Sequence, residues 1–121
     1  MELINEIYTT DGRLNRLRYF KYYIILALAS TLIAFVVGFI GGLVTGNADS
    51  ILVTVPTGLV SLVTAVGGFM LGIRRLHDLD KSGWFMLLML VPVINLAFLL
   101  YLWFMPGTVG YNRFGADPLQ N

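Results

Sequence analysis

The segment Arg74-Arg75-Leu76-His77-Asp78-Leu79-Asp80-Lys81-Ser82-Gly83-Trp84 holds the chain's only histidine, two acids and three basic residues within a single turn region. An imidazole titrates near neutral pH, so His77 with Asp78 has the residue types for acid–base work on a lipid headgroup. Nothing nearby completes such a site. There is no nucleophile at a readable spacing, no glycine-rich phosphate loop and no zincin-type histidine pair. One His with Asp78 and Asp80 is a poor zinc site, and the chain has no cysteine to support it. The expectation is a protein that is not an enzyme and has no cofactor. Structural duties account for most of these side chains. Arg74 and Asp78 are four apart and can pair on one helical turn, Asp80 or Ser82 can cap the following helix, and Gly83 relaxes the backbone there.

A second basic stretch, Asp11 to Lys21, carries Arg13, Arg16 and Arg18. Its apolar and basic positions recur at helical spacing, which predicts a short N-terminal interfacial helix over 11–21 with Asp11 as N-cap. Both stretches can fix topology, or can hold anionic lipid headgroups or an acidic protein partner at about 1 kcal/mol per cation. The candidate surface is Arg13, Arg16, Arg74, Arg75, His77 and Asp78, joined by Asn112 and Arg113 only if the tail lies in the cytoplasm. A net charge of +1 gives no basic face for nucleic acid.

The elements that must position these groups are apolar. The chain of 121 residues is 57% hydrophobic and 12% charged, too few charges to coat a water-soluble domain. Three uncharged runs of about 22 or 23 residues, 22–44, 51–73 and 84–105, each match the ~20 residues that cross a bilayer as a helix. The reading is an all-α integral membrane protein, a single membrane domain with three transmembrane helices and a tail over 106–121. No signal-peptide pattern precedes the first run, so it is read as a retained span. Basic residues flank the first span and fill the second loop, while Gly46–Ser50 has none. The positive-inside rule then places the N-terminus and the second loop in the cytoplasm of a multi-pass membrane protein. Three passes put the C-terminus outside. Pro92 and Asn95 interrupt the third run, and a re-entrant hairpin turning there is the alternative, returning the tail to the cytoplasm.

Small residues form two seams: Gly58, Ser61, Ala65, Gly68 and Gly72 in the second span, and Ala34, Gly38, Gly42 and Gly46 in the first. Such stripes let helix backbones approach closely. They can pack the two spans against each other, or be left for an identical chain or another membrane protein. Asn95 is the one amide within a span and a candidate cross-helix hydrogen bonder. No ionisable side chain lies inside any run, which argues against a proton-coupled pump. The alternative to a binding protein is a small transporter or channel subunit whose pathway, lined by Thr57, Thr64 and Asn95, forms between protomers.

At these same residues the chain resembles the domain-of-unknown-function 805 family of small bacterial inner-membrane proteins. The resemblance rests on Gly12-Arg13-Leu14-Asn15-Arg16 with Tyr19-Phe20, on Arg74-Arg75-Leu76-His77-Asp78 with Ser82-Gly83-Trp84, on Pro92, and on the tail motifs Pro106-Gly107-Thr108 and Asn112-Arg113-Phe114-Gly115-Ala116-Asp117-Pro118. It covers nearly the whole chain. Leu79-Asp80-Lys81 and Ala116 depart mildly from the family pattern. The resemblance implies a membrane location and a cytoplasmic basic loop, but no reaction, substrate or cofactor.

Overall fold

The computed structural model describes residues 2–47 and 49–119. Its order is α1 (Glu2–Ile7), α2 (Arg16–Thr45), α3 (Ile51–Asp78), a 3-10 helix (Gly83–Leu90) and α4 (Ile94–Phe104). At 1.5 Å per residue, the 30 and 28 residues of α2 and α3 each exceed the ~30 Å of a hydrocarbon core. Their best apolar windows have mean hydropathies of 2.6 and 1.8, with 0% and 11% buried. A soluble core helix of that composition would be buried. Here Phe35, Phe39, Leu43, Leu52, Leu59 and Leu62 point outward, so α2 and α3 are membrane-spanning helices with lipid as their solvent.

Local chemistry sets the ends of these elements. Asn15, in extended conformation, accepts from the Arg18 amide and starts α2, and Gly46 at φ +71° ends it through a bond to the Gly42 carbonyl. Asp11 therefore does not cap an interfacial helix over 11–21. Residues 16–21 are the first turns of α2, residues 8–15 are irregular, and the extra helix is α1. Ser50 and Ser82 cap α3 and the 3-10 helix by accepting from Leu52 and Trp84.

The third run does not form one helix. The 3-10 helix stops at Leu90, and Val93 takes φ +70°, ψ −50° with the Ile94 amide bonded to the Pro92 carbonyl at 2.8 Å. That geometry is a γ-turn, rare for a β-branched residue, next to a proline that has no amide to continue a helix. The chain reverses there, and α4 runs back toward the end from which the 3-10 helix departed. Leu102, Phe104 and Met105 lie beside Arg75 and Arg16, and the tail lies against Arg13 and Asp78. The expected straight third crossing is therefore replaced by a hairpin. The tail sits at the end of the bundle that carries Arg13 and Arg74, not at the opposite one.

The core follows this folding back. Ile7, Leu14, Tyr19, Leu71, Leu76, Leu79, Met86, Phe98 and Leu102 form one cluster at the α3 C-terminal end. Tyr8, the residue after α1, donates to the Val63 carbonyl at 2.9 Å.

The packing glycines differ from the expected seams. A Cβ on Gly41 would press on Val53, one on Gly67 on Tyr8 and Leu26, and one on Gly72 on Met86. Around Gly38, Gly42, Gly58 and Gly68 there is open space, and Ser61 and Ala65 are exposed. Of the expected seam only Gly72 packs, and it packs on the hairpin. The amide of Asn95 is directed at the Met89 carbonyl of its own hairpin, at 3.4 Å, instead of bonding to another span.

Candidate functional site

Three stretches distant in sequence meet at the charged end of the bundle: residues 12–16, the last turn of α3, and the tail after α4. Asp78 is the hub. Its Oδ1 accepts from Arg13 Nε at 3.0 Å and its Oδ2 from Arg75 Nη1 at 2.6 Å. All three side chains are 0–4% exposed. An unpaired charge in such surroundings costs several kcal/mol, so the carboxylate and the two guanidiniums are mutually required. The helix pairing expected between Arg74 and Asp78 does not occur. Arg74 swings the other way, and its Nη1 donates to the Glu6 carbonyl of α1.

The remaining guanidinium donors go to main-chain carbonyls. Arg75 Nε donates to Leu102 at 2.7 Å, its Nη1 also reaches Leu14 at 3.4 Å, and its Nη2 donates to Met105. Arg16 Nη1 donates to Phe104 at 3.0 Å. The last carbonyls of α4 have no intrahelical partner, and cations there also oppose the negative end of the helix dipole. Arg13 binds the tail itself, donating to the carbonyls of Thr108, Gly110 and Gly115. A planar fork with five donors suits this task, which lysine could not perform.

The tail is shaped to receive these bonds. Thr108 donates its amide to the Asp78 carbonyl at 2.7 Å. Gly107 lies so close to the Asp78 carboxylate that a Cβ would overlap it, which explains the need for glycine. Asn112 and Gly115 close a tight bridge, and Asn112 Nδ2 donates to the His77 carbonyl at 2.9 Å. Asp117 accepts from the amides of Gly110 and Leu119, and those bonds hold its carboxyl below the usual aspartate range.

His77 stacks on Phe114 with ring centroids 3.9 Å apart, and its Nδ1 lies 3.1 Å from the Gly12 carbonyl. Gly12, at φ +84°, makes the turn that presents that carbonyl. Arg113 lies over the other ring, 4.9 Å from the Phe114 centroid, and pairs with Asp80 at the surface.

The expected docking surface is thus largely internal. Arg13, Arg74, Arg75 and Asp78 are buried, His77 is half-buried against the tail, and of the six only Arg16 is exposed. Asn112 and Arg113 do join the cluster. Sequence reading missed Gly107, Gly110, Phe114 and Asp117 as clasp residues, and Tyr8 as the anchor of α1. The tail's density of Gly, Asn and Asp was the available signal that it turns tightly. Chemically, the assembly is a fastening. Asp78 lies between two cations and His77 is bonded and stacked, so neither is presented to a substrate.

Two exposed apolar spans joined to a folded-back hairpin by a buried ionic clasp define a small multi-pass helical membrane protein. The family model described as "Protein of unknown function (DUF805)" matches residues 7–116, and the chain belongs to that family. It is 34% identical over 110 residues to the inner membrane protein YhaH of Escherichia coli K12, covering 88% of this chain and 84% of the relative. It is 47% identical over 60 residues to the inner membrane protein YhaI of the same organism, about half of each chain. The location is the inner membrane. No solved structure matches the chain. The matched region begins at Ile7, the first buried residue among those described, and ends at Ala116, so it encloses Arg13, Arg75, Asp78 and the tail carbonyls they bind and stops one residue short of Asp117.

Proposed function

We propose that the protein is a non-enzymatic inner-membrane binding protein, with both termini in the cytoplasm, that holds anionic phospholipid headgroups. One observation carries this reading. All eight basic residues lie at one end of the bundle, and the clasp uses only part of them. Arg13, Arg74 and Arg75 are internal and Arg113 is paired with Asp80, while Arg18, Lys21 and Lys81 are exposed and their side chains make no hydrogen bond or ion pair among the described residues. The opposite end offers only Asp49 as a charged side chain. That asymmetry supports the cytoplasmic placing of the charged end.

The binding surface is therefore Arg16, Arg18, Lys21 and Lys81, with Arg13 reassigned to holding the tail, Arg75 to the end of α4 and Arg74 to α1. Each free cation contributes about 1 kcal/mol toward an anionic headgroup, a little under tenfold in affinity. Native mass spectrometry from mild detergent is expected to show phosphatidylglycerol retained over phosphatidylethanolamine, and the triple variant Arg18→Gln, Lys21→Gln, Lys81→Gln should abolish that preference. Equal retention of both lipids by the unaltered protein would remove the reading. A pathway between protomers is less well supported, because Thr57 and Thr64 spend their hydroxyls on the carbonyls of Val53 and Val60 in their own helix.

A further inference from the structure

The two halves of the molecule differ in thickness. In the half that carries the charged end, α2 and α3 are flanked on one face by α1 and on the other by the 3-10 helix and α4. Tyr8 meets Val63, which lies eleven residues before Arg74 along α3, about 16 Å of helix rise. The 11 residues of α4 likewise span about 16 Å, half of a ~30 Å hydrocarbon core. Past the tip at Pro92 and past Leu3, whose groove with α2 and α3 reaches Ile33 and Leu59, only α2 and α3 continue among the described residues. There they are slim and tightly apposed: Gly41 touches Val53, and Gly38, Gly42 and Gly58 present no side chain at all. The buried core lies entirely in the wide half, apart from Val53 in the slim one.

We infer that the protein is a wedge whose preferred surroundings are a curved bilayer, with the wide, charged half in the convex leaflet. A body that occupies more area in one leaflet relieves packing strain where that leaflet is the expanded one, as amphipathic insertions that sense curvature do. The preference comes from shape and is independent of the headgroup binding proposed above.

The chain has no cysteine, so single cysteines report its orientation. Leu119→Cys marks the charged end and Asp49→Cys the opposite loop, both at exposed positions. Each is reconstituted into uncharged phosphatidylcholine, as small sonicated or large extruded vesicles, and labelled with a membrane-impermeant maleimide. In small vesicles, labelling at Leu119→Cys should exceed that at Asp49→Cys about threefold, equivalent to roughly 0.6 kcal/mol, and should approach parity in large ones. Adding Gly38→Phe, Gly42→Phe and Gly58→Phe thickens the slim half where space is open, and should erase the bias while leaving insertion intact. The same ratio in both vesicle sizes would overturn the proposal. So would a bias that survives the three phenylalanines, or cross-linking that shows a second copy filling out the slim half.

Discussion

Replacing Asp78 by Asn removes one negative charge from between two buried guanidiniums while keeping the side chain's shape. The aspartate makes two charge-assisted hydrogen bonds, at 3.0 and 2.6 Å, each contributing about 1.5–3 kcal/mol. Their sum, about 3–6 kcal/mol, agrees with the roughly 3–5 kcal/mol lost when one partner is removed from a buried ion pair. A loss near 4 kcal/mol is a large share of the usual stability of a domain. The effect should be local before it is global, because Arg13 and Arg75 hold the tail and α4 through the same hub. Protein in mild detergent, titrated with a denaturing detergent and followed by helical circular dichroism, gives the loss in stability. Hydrogen exchange of the Thr108, Gly110 and Gly115 amides gives the release of the tail. Arg13→Met should be milder, since it leaves the Arg75–Asp78 pair neutral, yet it should free the tail to the same degree. If Asp78→Asn costs less than about 0.5 kcal/mol, as an exposed substitution would, the clasp is not what holds this end together.

Two further outcomes follow from the same geometry. Val93→Gly relieves a strained positive-φ conformation costing about 1–3 kcal/mol, against which glycine loses about 0.5–1 kcal/mol in unfolded-chain entropy. The variant should be stabilised by about 1 kcal/mol in the same denaturation assay, and a destabilised variant would mean the chain does not reverse at that residue. Asp117 has a carboxyl held below its ordinary value of about 3.9, so its contribution is complete above that value and is lost as pH falls through the lower, folded one. Amide exchange at Gly110 and Leu119 should therefore be protected near pH 5 and should accelerate, after correction for intrinsic rates, only on stronger acidification. Asp117→Asn should remove that acid dependence.

The sequence by itself determined the solvent and the two long helices, since uncharged apolar runs of this length have no stable place but a bilayer, and helices satisfy their own backbone there. It also offered Ser82 as a cap, which the structure bears out, whereas Ser50 as the α3 cap and Gly46 as a left-handed stop instead of a seam residue emerged only in the fold. The gathering of the basic residues other than Arg113 at one end was equally legible, and so was the membership of the family. Only the tertiary structure decided what the arginines do. Arg13 and Arg75 bind the carbonyls of residues 95 and 27 positions away, and a carbonyl is present at every residue, so no side-chain pattern marks the partner. The same holds for the third apolar run. Pro92 permits a kinked crossing as well as a reversal, and the choice falls to reversal because Arg16 and Arg75 capture the far end of α4. The glycine stripes show the limit most plainly. Gly38 and Gly58 have the spacing of a helix seam, but of the predicted stripes only Gly72 meets a neighbour, and the other close approaches fall at Gly41 and Gly67, chosen by where Val53 and Tyr8 arrive.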